Sequence, residues 1–185
     1  MGVAVMSDFR EVQFGELTNA ADMISGLGGF LLVVSKPDGN VNTMTCGWGG
    51  LGQFWRKNGC VIMVRDSRYS YEFTESANTM SLCFLDGGED ARRHLSYLGT
   101  VSGRDEDKIA KSGLTLCFDN NIPYFAESKS VFFMKKTYSQ MMDPACFDQK
   151  DVDISCYPKK DYHKFYFCEI LKCLQKADPI LNGKL

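Results

Sequence analysis

A glycine-rich segment, residues 42–52, constrains the fold more than any other stretch of this chain. It follows an apolar run, residues 30–35, that is typical of a buried strand, and it contains the spacing G-x-G-x-x-G ending at Gly52. In a dinucleotide-binding unit the last glycine of that pattern opens a helix. Here the next apolar run begins at Cys60, and a crossover helix with its loops needs about 10–12 residues. The glycines therefore predict a loop between two antiparallel strands, not a dinucleotide site.

Length and composition predict one globular domain spanning residues 1–185, with 44% hydrophobic and 24% charged residues. A net charge of -2 gives no indication of a nucleic-acid partner, because such partners favour a basic stripe. No apolar run approaches the roughly 20 residues that span a bilayer, so no membrane partner is expected. The N-terminus lacks the basic start and apolar stretch of a signal peptide. We therefore expect a cytoplasmic protein.

The eight cysteines are expected to be reduced thiols, since the chain is long and has no signal peptide. Cys60, Cys83 and Cys168 lie in strand-like runs and are expected to pack as small hydrophobes. Cys46 differs because it lies inside the glycine-rich segment. With only two histidines and no C-x-x-C spacing, no metal site is expected.

Periodicity and turn residues predict a mostly antiparallel sheet or barrel with short helices, because strands do not alternate regularly with helices. The predicted strands are residues 30–35, 41–48, 60–64, 79–85, 114–118, 130–137 and 164–173. The predicted helices are residues 14–24, 70–76, 89–98 and 105–112.

Three polar clusters, residues 42–46, 65–70 and 99–108, could share one ligand. The second contains two arginines, whose paired donors match phosphate geometry, although a solvated loop would also explain it. The third is either a helix cap with surface charges or a second wall of a ligand site. Together they offer backbone surface for a flat ring, hydroxyls for a polyol and cations for a phosphate. Those are the requirements of flavin mononucleotide (FMN).

Four segments, residues 42–52, 65–73, 99–108 and 160–169, resemble in order the flavin reductase-like, FMN-binding split-barrel family, which includes flavoredoxins. The similarity extends over about residues 28–175. It implies a mainly β fold with short helices, an FMN-binding split β-barrel. It also implies a homodimer with FMN near the subunit interface, and hydride transfer from NADH or NADPH to flavin.

The resemblance also implies site residues. The flavin ring and ribityl chain would be lined by Asn42, Thr43, Met44, Thr45 and Cys46; the phosphate would be held by Arg65, Ser67, Arg68 and Tyr69; the site would be closed by Ser102, Arg104 and Lys108. Position 46 is usually a small residue in the family, so Cys46 either fills space or tunes the flavin potential. His163 matches the histidine of a Gly-Asp-His segment that lies near the nicotinamide, whereas Asp161 and Tyr162 depart from that pattern.

The expected function is therefore an FMN-dependent NAD(P)H oxidoreductase of flavin reductase type. Two alternatives stay open: a flavoredoxin-type FMN electron carrier that exchanges electrons with redox proteins, and a non-catalytic ligand-binding barrel. The residues do not distinguish NADH from NADPH, do not identify the final electron acceptor, and do not separate tightly held FMN from an exchangeable substrate.

Overall fold

The structure, a computed structural model, describes residues 8–17, 20–26 and 28–176. In these ranges the strands are β1 (Phe9–Val12), β2 (Phe30–Ser35), β3 (Val41–Cys46), β4 (Gly49–Phe54), β5 (Lys57–Arg65), β6 (Thr79–Leu85), β7 (Leu116–Asp119), β8 (Ile122–Phe125), β9 (Ser128–Met141) and β10 (His163–Lys176). The α-helices are α1 (Ala20–Ser25), α2 (Tyr69–Ser76), α3 (Glu89–Thr100), α4 (Lys108–Ser112) and α5 (Lys150–Cys156). Short 3-10 helices cover Phe14–Glu16 and Pro144–Cys146.

The main sheet is antiparallel and has the strand order β3-β2-β6-β9-β10-β5-β4, with β1 paired to β10. Its two edge strands, β3 and β4, are consecutive in the chain, yet the described residues contain no pairing between them. The sheet therefore curls without closing. The mainly β prediction with short helices is confirmed.

The sheet buries apolar side chains on both of its faces. Along β2, Phe30 and Leu32 belong to one core cluster while Leu31 and Val33 belong to the other. Side chains on a strand alternate between faces, so a strand buried on both sides has to be apolar throughout. That explains the uninterrupted apolar run in the sequence. The second cluster is covered by α3 and by the hairpin β7–β8.

The prediction that the glycine-rich segment is a loop is wrong from Gly49 onward, because β4 pairs with β5. A Cβ atom on Gly49 would lie 2.6 Å from the carbonyl oxygen of Val61, so the two backbones approach too closely for a side chain. Trp55 and Arg56 form the two-residue turn with φ values of 49° and 64°, as hairpins with this twist require. Glycine is depleted in strands, so a glycine-rich segment is typical of a loop even though this one forms a strand.

The other predicted helices and strands agree with the structure to different degrees. The predicted strand 79–85 and helix 70–76 are confirmed, and α3 extends slightly beyond its predicted end. The helix predicted for 105–112 begins only at Lys108, because the carboxylate of Asp107 caps it by accepting from the backbone N–H of Ala110 at 3.0 Å. The helix predicted for 14–24 is a 3-10 turn followed by α1; residues 18–19 of that prediction lie outside the described residues. The strands β1, β4 and β8 and the helix α5 were not predicted from the sequence. No helix of the described ranges is long and apolar enough to span a bilayer.

Candidate functional site

Two adjoining cavities lie beside β3, the edge strand of the open sheet. The first, the Trp48 cavity, has a volume of about 170 Å³ and is lined by Met44, Thr45, Cys46, Gly47, Trp48, Met63, Arg65, Arg68 and His163. The second, the Ser102 cavity, has a volume of about 100 Å³ and is lined by Asn42, Met44, Ser67, Arg68, Tyr69, Ser70, Leu98, Gly99, Thr100, Val101, Ser102, Gly103 and Lys108. Met44 and Arg68 line both cavities, so the two spaces adjoin there.

The Trp48 cavity combines an apolar floor with a cationic rim. Met44, Cys46 and Met63 supply sulfur-containing side chains, and Arg65 and Arg68 supply guanidinium groups. Burial raises the pKa of the Cys46 thiol to about 12, against the lowering effect of Arg68. The thiol is therefore neutral at physiological pH and offers a polarizable surface rather than a nucleophile.

The Ser102 cavity is formed by three chain segments that are packed tightly together. The Asn42 side-chain amide of β3 donates to Ser70 Oγ of α2 at 2.9 Å. Gly103, in the segment between α3 and α4, packs so closely that a Cβ atom there would lie 2.6 Å from Asn42 Oδ1 and 3.1 Å from the ring of Tyr69. The wall of the cavity is therefore held by contacts between β3, α2 and this segment.

Arg68 lies where the cavities adjoin and has no carboxylate partner among the described residues. Its guanidinium donates to the carbonyl of Gly99 at 3.3 Å, and its side chain is otherwise exposed. Arg68 is also the N-cap residue of α2, and no side-chain cap accepts from the first turn. The N–H groups of the first helical turn and the helix dipole at this end favour an anion.

Lys108 is a second cation at the same place. It is buried, and its ammonium donates to the carbonyls of Leu98 at 3.0 Å and Val101 at 2.8 Å. Burial, and then repulsion from Arg68, lower its pKa to about 8. Within the described part of the chain Lys108 forms no ion pair. Two cations thus flank the Ser102 cavity without an anion between them.

Arg65 and Ser67 are held differently from Arg68. The Arg65 guanidinium donates to Asp161 Oδ1 at 2.8 Å and to the carbonyl of Cys156 at 3.0 Å, and it lies 4.9 Å from the centre of the Tyr157 ring. Ser67 donates to Asp161 Oδ2 at 3.3 Å. Burial alone would raise the pKa of Asp161, but Arg65 and these hydrogen bonds bring it below its usual value. Arg65 therefore already has a carboxylate partner.

Thr43 and Arg104 are the predicted site residues that line neither cavity. The Thr43 hydroxyl is buried and donates to the carbonyl of Leu32 at 2.9 Å, because strand alternation turns it away from the face that carries Met44. The Arg104 guanidinium pairs with Glu72 at 2.6 Å and lies over the ring of Tyr69. Thr45 does line the Trp48 cavity, although its hydroxyl donates to the carbonyl of Leu95 at 2.6 Å.

His163 lines the Trp48 cavity and is buried to 8% exposure. Its Nδ1 is 2.7 Å from the Tyr157 hydroxyl, and its ring centre is 5.0 Å from that of Trp48. Burial, followed by repulsion from Arg65, lowers the pKa of His163 to about 4, so the imidazole is neutral at pH 7. Sequence reasoning did not assign Trp48, Met63 or Tyr157 to the site. The position of Trp48 in the glycine-rich segment was a signal; nothing local marks the other two.

The donor set fits a phosphorylated flat ligand. Arg68, Lys108 and the first turn of α2 supply positive charge and N–H donors, while Met44, Cys46, Met63 and Trp48 supply the surfaces on which an aromatic ring packs. Among the described residues no group of His, Cys, Asp or Glu side chains could hold a metal ion.

Comparison with solved structures identifies the fold. An FMN-binding domain of a flavin reductases-like enzyme from Shewanella baltica aligns with a TM-score of 0.62 at 14% identity, over 91% of this chain and 77% of that one. Flavoredoxin of Desulfovibrio vulgaris aligns with a TM-score of 0.60 at 20% identity, over 82% of this chain and 70% of that one. The styrene monooxygenase flavin reductase of Pseudomonas putida aligns with a TM-score of 0.58 at 11% identity, over 86% of each chain. No protein-family model and no curated protein sequence matches the chain.

The chain therefore has the split-barrel fold of flavin reductase-like, FMN-binding proteins, as the sequence resemblance implied. Identities of this size establish the fold; what the chain binds and does has to be argued from its own residues.

Proposed function

We propose that this protein binds FMN and acts as an oxidoreductase that passes hydride from NADH or NADPH through the bound flavin. One observation carries the proposal: Arg68 and the buried Lys108 flank the Ser102 cavity without a carboxylate partner in the described ranges. A buried charge is costly unless it is paired. A phosphate group in that cavity supplies the missing anion.

Each part of the ligand has matching residues. Arg68, Lys108, Ser102 and the first turn of α2 hold the phosphate, since charge-assisted hydrogen bonds to phosphate are short and strong. Met44, Cys46 and Met63 pack against the ring in the adjoining Trp48 cavity. Arg65, held by Asp161, adds a fixed positive charge at the rim of the same cavity.

The bound flavin supplies the hydride chemistry, and the protein supplies binding, orientation and electrostatics. Trp48 and His163 line the cavity together and offer a flat surface for the ring, with their own ring centres 5.0 Å apart. The neutral thiol of Cys46 packs without reacting, and the cationic rim favours a ligand that gains negative charge on reduction.

A homodimer is part of the proposal. An apolar strip of side chains that are only partly buried runs along the sheet outside the Trp48 cavity: Trp55, Tyr138 and Phe167 contact one another there, with ring centres 5.8–6.1 Å apart. Trp55 is 61% exposed and Tyr138 is 44% exposed. Such a surface favours burial against a second copy. Analytical ultracentrifugation tests this, and a monomer at micromolar concentration would contradict it.

We also propose a cytoplasmic location, supported by the eight cysteines, which form no disulfide bond within the described residues and so suit a reducing compartment. Cell fractionation tests this part separately.

The experiment for the central proposal is a titration of the purified protein with FMN and with riboflavin, followed by NADH and NADPH oxidation assays. We expect FMN to bind with a stoichiometry of one per chain and more tightly than riboflavin, because only FMN carries the phosphate. Bleaching of the flavin absorbance by NADH or NADPH supports the reductase role. A protein that takes up neither flavin would support the non-catalytic ligand-binding barrel instead.

A flavoredoxin-type electron carrier is the second candidate, favoured by the residues before His163. Where the family's nicotinamide-binding pattern has Gly-Asp, this chain has Asp161, paired with Arg65, and Tyr162, whose hydroxyl donates to Asp153 at 2.9 Å. Neither position therefore has the small residue that the pattern has first, and both side chains are engaged by other residues of the chain. Tight FMN binding combined with negligible NADH and NADPH oxidation would favour the carrier, which exchanges electrons with a redox partner protein.

A further inference from the structure

Tyr157 is buried beside the Trp48 cavity without lining it. It follows α5 directly and is 1% exposed. Its ring is fixed between the Arg65 guanidinium and the rings of Trp48 and Tyr162, at 4.9, 6.4 and 5.0 Å between centres. Its hydroxyl is 2.7 Å from His163 Nδ1. The position of this hydroxyl is therefore determined by packing on several sides.

The direction of this hydrogen bond follows from the available acceptors. A buried hydroxyl has to donate its proton to a partner. Among the described residues, His163 Nδ1 is the acceptor within hydrogen-bonding distance of the Tyr157 hydroxyl. Burial raises the pKa of Tyr157, so the phenol keeps its proton. Tyr157 therefore donates and His163 Nδ1 accepts.

A neutral imidazole carries one ring proton, which must then be on Nε2. Burial and repulsion from Arg65 and Arg68 outweigh the attraction of Asp161, which holds the pKa of His163 near 4. Within the described ranges no residue forms a hydrogen bond with Nε2. This atom is also not among the fully buried polar atoms without a partner, so it retains some exposure. Because His163 lines the Trp48 cavity, the exposed fraction of the ring faces that space.

We propose that Tyr157 is a positioning residue: it holds His163 as the neutral Nε2–H tautomer, so that the ring presents a hydrogen-bond donor to a ligand acceptor atom in the Trp48 cavity. The identity of that acceptor rests on the proposed function, in which it belongs to the bound flavin. His163 thus donates a hydrogen bond without gaining or losing a proton.

The role has an electrostatic consequence. A donor aimed at an acceptor that becomes more negative on reduction stabilises the reduced state more than the oxidised state. Loss of the Tyr157 hydroxyl leaves Nδ1 free to take the ring proton, and Nε2 then becomes an acceptor. The interaction of His163 with a reduced ligand would then change from attraction by an N–H donor to repulsion by a lone pair.

The tautomer itself is tested by NMR on the ligand-free protein labelled with ¹⁵N in its histidines. The chain has only His94 and His163, so a His163→Gln variant assigns both rings. At pH 7 we expect His163 to show an unprotonated Nδ1 and a protonated Nε2. In Tyr157→Phe we expect a mixture of the two tautomers. A protonated Nδ1 in the wild type, either as the other tautomer or as imidazolium, would overturn the inference.

The functional consequence is tested by the midpoint potential of bound FMN in matched variants. Tyr157→Phe is expected to shift the potential to a more negative value. Tyr162→Phe is the control. It removes a hydroxyl from the neighbouring aromatic ring, and that hydroxyl donates to Asp153 and not to His163. Equal potentials in wild type and Tyr157→Phe, or equal shifts in both variants, would overturn the positioning role. Failure of FMN to bind would contradict the proposed function while leaving the NMR result on the tautomer intact.

Discussion

Removal of the Arg68 guanidinium is expected to weaken FMN binding without destabilising the fold. In the structure this group donates one 3.3 Å hydrogen bond, to the carbonyl of Gly99, and is otherwise exposed. Arg68→Ala therefore loses little that holds the protein together. A hydrogen bond to a charged group contributes about 1.5–3 kcal/mol, so FMN affinity should fall by roughly 10- to 150-fold. Lys108 remains in the variant, so binding should be weakened rather than abolished.

The assay is quenching of flavin fluorescence in parallel titrations with FMN and riboflavin at pH 7. Riboflavin lacks the phosphate, so its affinity should be nearly the same in wild type and Arg68→Ala. The matched control is Arg104→Ala, which removes an arginine that is close by, pairs with Glu72 and lines neither cavity. An equal loss of FMN and riboflavin affinity in Arg68→Ala would refute the phosphate contact, as would an equal loss of FMN affinity in the control.

Three further outcomes are expected. FMN affinity should fall as pH rises above about 8, because bound phosphate favours the protonated form of Lys108, whose pKa in the free protein is about 8. The Lys108→Met variant should bind FMN more weakly and lose this pH dependence between pH 7 and 9. A wild-type affinity that is constant over that range would contradict the prediction. Gly103→Ala should lower the free energy of unfolding by about 1–3 kcal/mol, because the new Cβ would lie 2.6 Å from Asn42 Oδ1. Gly87→Ala is the control, because a Cβ atom there meets nothing within 4 Å. Equal melting temperatures for the two variants would disprove the crowding at Gly103. Asp161→Asn should lower the free energy of unfolding by about 1 kcal/mol at pH 7. Because the pKa of Asp161 is lowered in the folded state, the difference in melting temperature between the variant and the wild type should shrink as pH falls below about 4.

The sequence predicts best those elements whose local pattern agrees with their tertiary surroundings. The run 30–35 is apolar throughout because β2 is buried on both faces, and its strand was predicted with its observed ends. The β4 strand was missed for the opposite reason. Its glycines have low strand propensity, and the need for glycine at position 49 comes from the backbone of Val61, which approaches it from a partner strand.

The candidate site shows the same division. The family resemblance implied that Asn42, Arg68 and Lys108 share one site, and in the structure all three line the Ser102 cavity. The sequence did not show that Arg65 is paired with Asp161 while Arg68 has no carboxylate partner, because that distinction depends on contacts between residues far apart in the chain. Tyr157 was missed because its role exists only through contact with His163.

The proposed function depends on FMN binding through its phosphate in the cavities beside β3. Isothermal titration of the purified wild-type protein with FMN and with riboflavin tests it most directly. We expect one FMN per chain, bound more tightly than riboflavin by at least about tenfold, since charge-assisted phosphate contacts contribute about 1.5–3 kcal/mol each. Equal affinity for the two flavins, or no heat of binding with either, would contradict it.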